Sequence, residues 1–113
     1  MVMSKQKVDW DRCFKDLGAI SDQVIVDLED RINPLVDQSH FRKPKIELGK
    51  YPPEIVVSFH NVTRTPIREA DFRMIEQNIA DAVGFVAESH GLIPSKQHEG
   101  AYSLRPNYDL YHI

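Results

Sequence analysis

Between Thr65 and Gly91 the apolar residues recur with helical spacing. At 100° per residue, Phe72, Ile75, Ile79, Ala82, Val83 and Val86 fall on one face, and Ile67, Met74 and Phe85 widen it to roughly half the cylinder. Both ends are signalled. Thr65 is a capping residue, Pro66 suits the first helical position, and Glu69 and Asp71 place negative charge at the positive end of the dipole. His90-Gly91 closes the helix and Pro94 blocks its resumption. Ala80, Gly84 and Ala87 lie on the opposite side, where a solvent face carries large polar residues. The combination predicts a helix packed on two sides, with the small face taken by N-terminal helices or by a second copy of the chain.

The N-terminal third predicts a helical pair. Asp9 caps a short helix in which Trp10, Cys13, Phe14 and Leu17 recur at i, i+3, i+4 and i+7, and Gly18 ends it. Ser21 opens a second helix with Val24, Ile25, Leu28, Ile32, Leu35 and Val36 on one stripe, kinked or divided at Asn33-Pro34. Val26 points away from that stripe.

Strand patterns follow. Lys45 to Leu48 reads as a short strand and Gly49 to Pro53 as a turn. Glu54 to Val62 is the clearest strand, with Ile55, Val57 and Phe59 on one face and Val56, Ser58, His60 and Val62 on the other. Ser95 to Gly100 is polar and reads as a loop. Ala101 to Arg105 and Asp109 to Ile113 read as two strands turning at Pro106-Asn107. No internal sequence repeat interrupts this order. The expectation is an α+β fold: a small antiparallel sheet of about four strands, packed by one long helix, with the N-terminal helical pair. Residues 1–113 are read as a single domain, and 1–7 as a flexible tail.

Composition narrows the class. Apolar content of 42% is ordinary for a folded chain. The longest apolar run is far below the roughly 20 residues that span a bilayer, and no apolar h-region follows Met1. Membrane partners are therefore not expected. One cysteine, Cys13, rules out an internal disulfide and suggests a reducing, cytoplasmic setting.

The net charge of −3 is unevenly distributed. Residues 1–40 and 54–113 each hold five basic and eight acidic side chains, whereas 41–53 hold Arg42, Lys43, Lys45 and Lys50 against Glu47. Overall acidity disfavours binding to nucleic acid through bulk charge. The basic segment, with Tyr51 beside it, keeps a local version of that reading.

Candidate chemistry is sparse. The five histidines, at 40, 60, 90, 98 and 112, give no zincin pair, and one cysteine cannot build a common structural zinc set. No cofactor or metal is expected. His90 suits a structural place at a helix C-terminus. His60, two residues from Ser58 on one strand face, is the one acid–base candidate, and neither an orienting acid nor a Gly-x-Ser-x-Gly elbow accompanies it. The richest surface signal is aromatic: Tyr102, Tyr108 and Tyr111 with Arg105, residue types that dominate binding hot spots.

These signals order three functions. First is a non-enzymatic, cytoplasmic protein-binding factor: a small inhibitor, an antitoxin- or immunity-like protein, or an assembly subunit. It occupies a macromolecular partner, another protein or a second copy, through Arg105, Tyr102, Tyr108 and Tyr111. Next is a nucleic-acid-associated protein using Arg42, Lys43, Lys45, Lys50 and Tyr51. A small hydrolase or metal enzyme centred on His60 comes third.

Overall fold

The computed structural model describes residues 7–37, 44–59, 68–98 and 100–113. Its elements are α1 (Trp10–Asp37), β1 (Lys45–Lys50), β2 (Pro53–Ser58), α2 (Glu69–Ser89), β3 (Ile93–His98) and β4 (Ala101–Arg105), followed by a 3₁₀ turn at Tyr108–Tyr111. The four strands form one antiparallel sheet in the order β1-β2-β4-β3. This is an α+β fold with a long helix on the sheet. An α-β-β unit occurs twice, and the two units join through the central β2–β4 pair. The order is that of a split β-α-β sheet whose first strand has been transferred to the C-terminus.

The expected N-terminal pair is one continuous helix of 28 residues. Asp9 does cap it, its Oδ1 accepting from Arg12 N at 3.2 Å. Gly18 fails to end it because the apolar stripe runs straight through: Cys13, Leu17, Val24, Leu28, Ile32 and Val36 are all buried. A glycine costs a helix about 1 kcal/mol, while each buried leucine or isoleucine contributes roughly 1.5–3 kcal/mol. Burial therefore wins. Pro34 is likewise carried inside the helix, with Val36 buried beyond it.

In α2, Ile75, Ile79, Val83 and Val86 are buried as the periodicity predicts, whereas Met74 and Phe85 are exposed. The N-cap position is Arg68, extended and without a side-chain cap bond; Thr65, Pro66 and Ile67 lie outside the described residues. The C-terminus closes as expected, with Gly91 at φ 69° and Leu92 N bonded to Ala87 O at 2.7 Å.

Register decides which face of the sheet is covered. Ile55 pairs with Leu104 and Val57 with Tyr102, and these four share one buried cluster with residues from both helices. Both helices thus lie on the same face. They run antiparallel, since Asp27 meets His90 and Arg31 meets Phe85. The small face of α2 is not where α1 sits; α1 meets the Phe85–Val86 flank. Ala87 is fully buried and Ala80 packs partly on the core, but a β-carbon added at Gly84 would meet no heavy atom within 4 Å beyond its own helix backbone.

On the opposite sheet face Val56 pairs with Ser103, and Ser58 with Ala101. Gln97 Nε2 of β3 reaches Glu54 Oε1 of β2 at 3.3 Å, a bond that spans β4 above its small buried side chains. Among the described residues, no helix packs on this face.

Two strand expectations are corrected. The supposed loop from Ser95 lies in β3, an edge strand whose residues are nearly all exposed, so no apolar alternation marks it. Pro94 and Lys96 suit such an edge. In place of the supposed strand Asp109–Ile113 the chain forms the 3₁₀ turn Tyr108–Tyr111, capped by Asn107, whose side chain accepts from Asp109 N at 3.1 Å, and then the single bridge at His112. The reason is topological. β4 is already paired on both sides, by β2 and by β3, so no further strand can join it.

The C-terminal segment instead folds back beside the start of α1. Asp9 N bonds to Tyr111 O at 2.7 Å and Ile113 N to Lys7 O at 2.8 Å, with Val8 bridged to His112. Lys7, the last residue of the expected tail, is thus engaged, and residues 1–6 lie outside the description. Among the described residues, no helix is long and apolar enough to cross a membrane.

Candidate interaction surface

The tyrosines expected to form an exposed hairpin are used within the chain. Tyr102 lies in the core and donates to Glu76 O at 3.1 Å. Tyr108 packs edge-on against Trp10, ring centroids 5.0 Å apart, and donates to Pro53 O at 2.8 Å. Burial pushes the phenol of each up to about 12. Tyr111 donates to Asp16 Oδ2 at 2.9 Å, and burial first, then that bond, raises its pKa. Arg105 is exposed, its guanidinium 5.8 Å from the Tyr108 ring. The tyrosines therefore contribute rigidity, and of the four only Arg105 is exposed.

The basic segment is partly described. Lys45 pairs with Glu47 at 3.2 Å. Lys50 lies 5.9 Å from the Phe14 ring and 6.0 Å from that of the exposed Tyr51. Arg42, Lys43, His40 and His60 lie outside the described residues. Among those described, no group of three or more His, Cys, Asp or Glu is placed to hold a metal ion. Cys13 is fully buried, and burial raises its thiol pKa.

A different surface emerges along the seam of the two helices. The α2 C-terminus holds His90 by backbone bonds to Val86 O and Ala87 O, and its Nε2 meets Asp27 Oδ2 of α1 at 2.6 Å. The other oxygen of Asp27 accepts from Gln23 Nε2 at 3.0 Å. The His90 bond first, then the Gln23 bond, holds the Asp27 carboxyl below its usual range. This clasp joins residues 63 apart in the chain, so no local spacing announces it.

A concavity opens on either side of the clasp. One is an open trough of about 370 Å³, where Arg31 covers the exposed ring of Phe85 at 3.7 Å and Asp27, Asp30 and Ser89 line the rim. The other is a notch of about 170 Å³ between α1, the α2 C-terminus and the 3₁₀ turn. Leu17, Ile20, Leu92 and Leu110 supply its apolar lining; Asp16, His90, Asn107 and Tyr111 supply its polar groups.

Charge separates by layer. The two helices carry twelve acidic and four basic side chains, a net charge of −8, while the four strands carry two acidic and four basic. Counting charge over 1–40, 41–53 and 54–113 hides this separation; counting it by element reveals it.

No family model matches the chain, and comparison with curated proteins and with solved structures finds no match. The functional reading therefore rests on the surface itself.

Proposed function

We propose that this chain is a non-enzymatic protein-binding factor of the cytoplasm that acts by occupying a basic surface on another protein. Inhibitor, antitoxin- or immunity-like factor and assembly subunit are the roles this chemistry suits. The observation that carries the reading is the helix layer, with its net charge of −8 against a chain total of −3. A layer of one sign attracts a partner of the other, raises the association rate and repels acidic competitors. Exposed Phe85 and Leu110 supply apolar contact within that acidic field. The cytoplasmic setting rests on the lone, buried Cys13.

Contact with nucleic acid through Lys45, Lys50 and Tyr51, together with Arg42 and Lys43, is the competing reading. It has weaker support: Lys45 already has a carboxylate partner, and among the described residues the sheet face away from the helices carries no aromatic ring for base stacking.

Capture from the native cell discriminates between them. Wild-type bait is compared with Asp22→Asn/Asp30→Asn/Glu88→Gln and with Lys45→Gln/Lys50→Gln. The proposal expects one basic protein, released by salt and by the first set and retained by the second. Recovery of DNA or RNA that depends on Lys45 and Lys50 would reverse the ranking.

A further inference from the structure

We propose that the notch beside His90 is a receptor for one aliphatic or aromatic side chain of the partner, flanked on the partner by lysine or arginine. The proposal rests on the protein-binding reading above and adds the anchor and its position. Size is the first argument. At about 170 Å³ the notch is smaller than the roughly 300–1,000 Å³ of sites for small molecules, and fits a single side chain.

Lining is the second. The buried Leu17 and Leu92 line it together with Leu110, which is 72% exposed. An inserted side chain would complete the contacts that Leu110 lacks.

Rigidity is the third. Arg12 donates to Leu110 O at 3.0 Å and lies 5.0 Å from the Tyr111 ring, while Tyr111 is tied to Asp16. The wall is thus fixed before a partner arrives, which reduces the ordering cost of binding.

Charge is the fourth and identifies the occupant. Asp16 lines the notch and Arg12 is engaged at its wall by Leu110 O and the Tyr111 ring; beyond them the helix layer as a whole, net −8, attracts cationic neighbours of the anchor and repels acidic ones.

The test uses amidated pentapeptides titrated into the full isotope-labelled chain and followed by NMR. Lys-Lys-Leu-Lys-Lys should shift signals of Leu17, Ile20, Leu92 and Leu110 in a saturable way. Replacing the central leucine with alanine, or using the exposed-site variant Leu110→Ser, should weaken binding by roughly tenfold or more. Glu-Glu-Leu-Glu-Glu should not bind. Equal binding of the leucine and alanine peptides, equal binding of the lysine and glutamate peptides, or no binding at all overturns the notch proposal. Shifts spread over the helix layer that spare the notch also overturn it, while leaving the acidic-surface reading standing. That reading fails separately, if the charge variants leave native capture unchanged.

Discussion

Alanine at Gly84 should stabilise the protein. In a helix interior glycine is about 1 kcal/mol less favourable than alanine, and packing contacts commonly offset that gain. Here a β-carbon at Gly84 meets nothing within 4 Å beyond its own helix backbone, so the propensity gain is left intact. Gly18, in α1, is equally open. Each change should therefore add about 1 kcal/mol, raising Tm by roughly 4 °C for a chain of this size. The pair should add about 2 kcal/mol, because distant sites without shared partners are additive.

Gly100 supplies the opposite control. Its φ is 75°, and an added β-carbon would lie 2.6 Å from Phe59 O. Gly100 O also accepts from Phe59 N at 2.9 Å, so the two backbones cannot easily separate. Gly100→Ala should cost about 2 kcal/mol or more. Denaturant melts with unchanged m-values measure all four variants. A loss of stability in Gly84→Ala would contradict this, because it requires an atom against a face that is open here. A concentration-dependent loss would identify that atom as part of a second copy.

Ile79→Ala, at a fully buried centre of α2, should cost about 2–5 kcal/mol, and Ile79→Asp should abolish the cooperative melt. The raised phenols of Tyr102 and Tyr108 favour the neutral form when folded, so their contribution is whole below pH 10 and is lost as pH rises toward about 12; phenolate absorbance beside a stability curve reads both. Tyr108→Phe, which loses the bond to Pro53 O, should cost about 1 kcal/mol by denaturant melt and remove one late step from the titration. The lowered carboxyl of Asp27 works in the other direction: its contribution is present above the unfolded carboxylate pKa, about 3.9, and is lost as pH falls through the lower folded value. The stability gap between wild type and Asp27→Asn should accordingly shrink below about pH 4, and a gap that widens there contradicts the clasp.

Apolar spacing alone marks the elements whose burial is periodic. The core face of α2, its closure at His90-Gly91, the inward face of β2 and the stripe of α1 are all present in the spacing of apolar residues, because one buried side imposes a period of 3.6 or 2. The acidity of the helix layer was also present, although visible only when charge is counted by element. Features that depend on partners distant in the chain take shape only as the layers assemble. Gly18 stays helical because the sheet below rewards one unbroken stripe. Ile93–His98 becomes a strand because β4 offers it a free edge, and Asp109–Ile113 does not because that edge is then filled. The clasp of Asp27 with His90 and the notch beside it bring together α1, the end of α2 and the C-terminal turn, segments that meet only once the sheet has set their order. Local spacing encodes which side of an element is buried; what lies against that side, and what is left open between two elements, is a property of the assembled layers.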